Sequence, residues 1–148
     1  MAITVGKSAL PALSQAITAV LKADATFTSL AAGPFDPPKE GQAFPFVDFG
    51  EHEERPWYTF QNTGREVFFV MHIWSQQVGT SSSGFKQCYD ILDAITGALE
   101  TQTFVINDFE MTEKGFLLDD VAKMPLQPDG VTKHLAIRFH TWLRRKTS

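Results

Sequence analysis

Residues Gly64–Ser75, GREVFFVMHIWS, constrain the fold more than any other stretch of this chain. Strict alternation sets Val67, Phe69, Met71 and Ile73 on one face of a strand, with Glu66, Phe68, Val70, His72 and Trp74 on the other. A strand with one face in water carries polar residues there. Here the second face is too apolar to stand bare, so either a second layer of the same chain or another subunit must cover it.

The helices needed for the first face are legible on either side. Lys7–Ala23 reads as a helix with Leu10, Leu13, Ile17 and Leu21 on one stripe, Ser8 as its N-cap and Pro11 in its first turn. Thr26–Ala32 reads as a further helical turn ended by Gly33-Pro34. Phe85–Leu99 carries Phe85, Cys88, Leu92, Ile95 and Leu99 at helical spacing. Between these segments, residues 33–45 hold four prolines and read as an irregular arm. Phe44–Gly50 follows as a short edge strand, then a polar, aromatic-bearing loop at 51–63. The segment Gln76–Gly84 reads as a linker loop, because its Ser/Gly run lacks the spacing and the lysine of a phosphate-binding loop.

Three strand-like runs end the chain. Phe104–Met111 and Phe116–Ala122 read as a hairpin about Thr112–Gly115. Val131–Leu143 follows the turn Pro128-Asp129-Gly130, with Leu135, Ile137, Phe139 and Leu143 on one face and His134, Ala136, Arg138, His140 and Trp142 on the other. The expectation is one α+β domain over 1–148, with a mostly antiparallel sheet of about four to five strands and two amphipathic helices on one face.

The sequence offers little for catalysis. With 13 Lys+Arg against 17 Asp+Glu, the net charge of -4 does not suit a dedicated nucleic-acid binder. The sole cysteine, Cys88, excludes an intrachain disulfide and reads as a buried, inert thiol in a protein kept in a reducing cytosol. The apolar runs are too short for a membrane span. Glu51, His52, Glu53 and Glu54 form the densest ligand-type cluster, but successive strand residues point to opposite faces and do not converge on a metal. His134 and His140 lie about 20 Å apart along one strand and cannot share a metal. Asp119-Asp120 and Asp108 with Glu110 read as exposed carboxylates, and Ser81–Ser83 have no activating base in view. Arg144-Arg145-Lys146 reads as an exposed basic tail, with a phosphate or DNA contact as the functional alternative. No enzyme activity and no cofactor is expected.

Several ordered pieces together resemble the tail-completion (tail-terminator, or tail-to-head joining) proteins of long-tailed bacteriophages and prophages. They are the first helix with Leu21-Lys22-Ala23-Asp24, then Phe44-Pro45-Phe46-Val47 leading to Gly50-Glu51. Next is Gly64-Arg65-Glu66-Val67 running into Met71-His72-Ile73-Trp74-Ser75, and last Pro128-Asp129-Gly130-Val131-Thr132-Lys133-His134 leading into Leu135–Phe139. The resemblance implies a virion subunit at the head–tail junction, assembled in the host cytoplasm. It implies a homo-oligomeric, typically hexameric ring between the major tail tube protein and the head connector or head-completion protein, with DNA passing the bore unread and no membrane involved. A ring needs one patch to meet a different patch on its neighbour. The expected contact surfaces are Phe68, Val70, His72 and Trp74 on the second strand face, and Glu53, Glu54, Arg55, Trp57 and Tyr58 in the 51–63 loop. A soluble adaptor that binds one partner through its loops stays open as an alternative, as does a small hydrolase or nucleotide-binding protein.

Overall fold

The computed structural model describes residues 8–58, 63–76, 85–101, 104–125 and 127–146. In chain order the elements are α1 (Leu10–Ala23), α2 (Ala25–Leu30), β1 (Ala32–Phe35), β2 (Phe46–Tyr58), β3 (Thr63–Ser75), α3 (Lys86–Thr101), β4 (Phe109–Lys123) and β5 (Lys133–Arg145). The strands form one sheet in the order β1-β2-β3-β5-β4, parallel only at the β1–β2 pair. The fold is α+β, as the sequence leads one to expect.

The first face of β3 is the floor of the core. Val67, Phe69, Met71 and Ile73 are each 0% exposed, and Leu135, Ile137, Phe139 and Leu143 of β5 continue the same apolar surface. Leu13, Ala16, Ile17 and Leu21 of α1 and Cys88, Ile91, Ala94, Ile95, Ala98 and Leu99 of α3 close over it. Each large side chain so buried stabilises the fold by about 1.5–3 kcal/mol. Asp24 ends α1 and caps α2, its carboxylate accepting the Phe27 N–H at 2.9 Å. Pro11 sits in the first turn of α1, where its missing N–H costs nothing.

Three expectations need correction. The 51–63 loop is instead strand as far as Tyr58: β2 runs on and pairs with β3 to Tyr58–Thr63. A bulge hides this continuation, because Phe49 lies opposite Met71 and His52 opposite Phe69, which leaves Gly50 and Glu51 together opposite Val70. The proposed hairpin at 104–122 is instead one long strand, β4, in which Thr112–Gly115 bulge out opposite Trp142 and a second irregularity falls at Asp119. Gly115 has a positive φ of 63°, which is what made the segment look like a turn. Within the 33–45 arm, Ala32–Phe35 is a strand, β1, paired in parallel with the start of β2.

Glu54 joins two layers. It lies opposite Val67, on the helix-covered side, where its carboxylate accepts the Ala9 N–H at 2.6 Å and the Ser8 hydroxyl at 2.5 Å. Arg65 Nε lies 3.2 Å from the same carboxylate. A negative charge at the start of α1 also complements the helix dipole.

Candidate functional site

The other face of the sheet has no helix over it. The β2 bulge and the alternation of β3 and β5 bring two aromatic–imidazole clusters onto it, with Val70 and Ala136 between them. In the first cluster Trp74 stacks on His134 at 3.9 Å and on Phe46 at 6.3 Å, and its indole N–H donates to Asp48 at 2.9 Å. His72 Nδ1 and His134 Nε2 lie 2.6 Å apart, sharing a hydrogen bond from one ring to the other. Burial, reinforced by the neighbouring His72, pushes His134 down to about 4, so it is neutral at neutral pH. Burial also raises the Asp48 carboxyl above its ordinary range, against the opposing hydrogen bond from Trp74. Gly50 makes room for this cluster, because a Cβ there would collide with the His72 ring.

In the second cluster Phe68 stacks on His140 at 4.1 Å, and His140 lies 4.0 Å from Trp142. The Arg55 and Arg138 guanidinium groups lie 5.3 and 5.0 Å from the centre of the Phe68 ring, within cation–π range. Trp142 donates to Glu66 at 2.9 Å, and Glu53 pairs with Arg55 at 2.9 Å. A groove of about 340 Å³ opens beside Phe68, bounded by Glu53, Val70 and Arg138. The second face of β3 is therefore covered in part by its own neighbours, contrary to the expectation that it has no intrachain partner. Cross-strand stacking shields it to half-burial without sealing it.

Of the residues expected to make contacts, Phe68, Val70, His72, Trp74, Glu53 and Arg55 share this face. Trp57 is half-buried and packs over Gly64, where a Cβ would strike its ring. Glu54 points to the opposite side and holds α1. Tyr58 belongs to β2, but its side chain lies outside the described residues, as do Ser81–Ser83. Arg144 and Arg145 are not a free tail: they pair with Gly64, Glu110 and Phe109 as the last residues of β5, and the Lys146 N–H donates to the Asp108 carbonyl at 2.8 Å. The sequence does not reveal the His72–His134 pair, because the two residues meet only across the β3–β5 register, where Trp74 faces His134.

No catalytic grouping emerges. Among the described residues no three His, Cys, Asp or Glu side chains are placed to hold a metal ion. Cys88 is buried, and burial pushes its thiol up to about 11, far from a reactive thiolate. Asp119 lies 3.6 Å from His140 Nδ1, in a stack of rings rather than a cleft with a nucleophile.

The family model described as "Tail completion protein gp17" matches residues 15–144. The chain belongs to the tail completion protein gp17 family. It is thus a structural protein of bacteriophage tails, a component of the virion that assembles with other virion proteins. Two solved structures share the fold. A chain from the virion of the native gene transfer agent (GTA) particle superposes with a TM-score of 0.73 at 17% identity, over 94% of this chain and 99% of that one. The bacteriophage SPP1 gp17 protein gives a TM-score of 0.60 at 19% identity, over 100% of both chains. No curated protein matches the sequence.

Proposed function

We propose that this tail completion protein is the subunit of a hexameric ring that caps the tail tube at the head–tail junction. One side of the ring would bind the last ring of the tube. The other side, lacking the tube subunit's own docking surface, would halt polymerisation and receive the head connector. The observation that carries this reading is the open face of β2, β3 and β5, where Phe68, Trp74, His134 and Trp142 are ordered by stacking and yet left without a second layer. Aromatic residues already held in place lose little entropy on docking and favour contact with another subunit. The net charge of -4 suits a bore that DNA slides through without being gripped or read. No step of this role needs catalysis or a cofactor.

The test is electron microscopy of tails from a host producing phage without this protein, restored with wild-type or Phe68→Glu chain. The expected result is tubes of uncontrolled length, not joined to heads, in the deletion and with Phe68→Glu, and normal particles with wild type. Tails of normal length joined to heads in the deletion would overturn the reading.

A further inference from the structure

At the end of the sheet where β5 begins lies a groove of about 430 Å³. Phe44, Phe46 and Trp74 line it as an aromatic floor, Asp48 and Asp129 bring carboxylates to it, and no Lys or Arg is among its lining residues. Phe44 is 36% exposed, unusually open for a phenylalanine. Asp129 is held ionised by the Val131 and Thr132 N–H groups and the Thr132 hydroxyl. Such a site favours a cation carried on an apolar stem, with the charge over an aromatic ring and against a carboxylate.

The densest positive run of the chain is Arg144-Arg145-Lys146. It lies at the other end of β5, about 40 Å away at 3.3 Å per residue. Pairing with β3 and β4 fixes Arg144 and Arg145 there, so these side chains cannot reach the groove of their own chain. We propose that the basic end of β5 in one copy seats in the aromatic, carboxylate-bearing groove of a second copy. The contact is head-to-tail, so its repetition builds a ring when the rotation closes. It rests on the ring reading above only for its setting, and it names two surfaces that meet within the ring.

Full-length Phe44→Cys and Lys146→Cys proteins, mixed under mild oxidation, test it free in solution and bound to tail tubes. The native Cys88 is buried and silent. The mixed disulfide is expected to exceed either homodimer by about tenfold, and to decline at about 0.5 M salt as the charges are screened. Mixed and self-paired products in equal yield, in solution and on tubes, would overturn the proposal. A second measurement avoids any folding defect: the peptide TWLRRKTS, the sequence of residues 141–148, is titrated into wild-type protein followed by NMR. Shifts at Phe44, Phe46 and Trp74, absent with a peptide carrying Glu in place of its three cations, support the contact. A groove that takes the peptide but never cross-links to a second copy overturns it, in favour of a basic segment from another protein. If tubes are capped without the cross-link, the docking fails and the cap stands. If the cross-link forms but tubes are untouched, the cap fails and the docking stands.

Discussion

The two faces of β3 are built from equally apolar letters and end in opposite conditions. Val67, Phe69, Met71 and Ile73 are sealed under helices, whereas Phe68, Val70, His72 and Trp74 remain half-buried. The difference lies in what fills the space above them. The sealed face meets aliphatic helix stripes that interdigitate, as close packing requires. The open face meets only its lateral neighbours, so its order comes from rings lying against rings and from N–H groups directed at carboxylates. One face stabilises the fold, and the other presents a surface.

Substitutions on the two faces should therefore separate stability from assembly. Phe69→Ala removes a ring stacked on Phe139 at 5.2 Å and should cost about 3–5 kcal/mol, read by urea unfolding. Glu54→Ala, which removes the carboxylate that holds Ala9, Ser8 and Arg65, should cost about 3 kcal/mol. The adjacent, exposed Glu53→Ala should stay within about 0.5 kcal/mol by the same assay. Gly50→Ala forces a methyl group against the His72 ring and should cost about 1–3 kcal/mol while shifting the His72 and His134 NMR signals.

On the open face the effects on stability should be smaller and the effects on assembly larger. Phe68→Glu sets a carboxylate between Arg55 and Arg138 and should change stability by no more than about 1 kcal/mol while abolishing tube capping. Trp74→Glu should also leave the chain folded, as judged by circular dichroism. Unfolding by either substitution would mean that this face is core, and the comparison would collapse. The smallest effect is on pH dependence. His134 takes up a proton near 6.5 when unfolded but only near 4 when folded, so the unfolded chain binds more protons between those values. Stability should be complete above about 6.5 and fall as pH drops towards 4, with a shallower fall in His134→Gln, as followed by thermal unfolding.

The parts of the fold legible from sequence are those whose period is unbroken. The stripes of α1 and α3 and the alternation of β3 and β5 run uninterrupted, and all four elements stand where the pattern puts them. The outer half of β2 looks like a loop because charged residues, Pro56 and the break at Gly50–Glu51 cancel any two-residue period. The bulge at Thr112–Gly115 divides β4 into two apparent strands in the same way. β1 hides in Gly33-Pro34, letters that ordinarily signal a turn. Phe68, Val70, His72 and Trp74 were legible as a shared face. Their stacking partners Phe46, His134 and His140 come from other strands and depend on registers that no local pattern encodes.

The two-against-one step at Gly50–Glu51 acts as a phase shifter. Upstream of it odd-numbered residues of β2, such as Val47 and Phe49, face the helices; downstream even-numbered ones, such as Glu54, do so. Deleting a single residue there would restore strict alternation and invert the remaining strand. Glu53 and Arg55 would turn inward, and the carboxylate that anchors α1 would turn to the open face. The length of this short segment thus carries as much information as its chemistry, and a point deletion should be more damaging here than most substitutions.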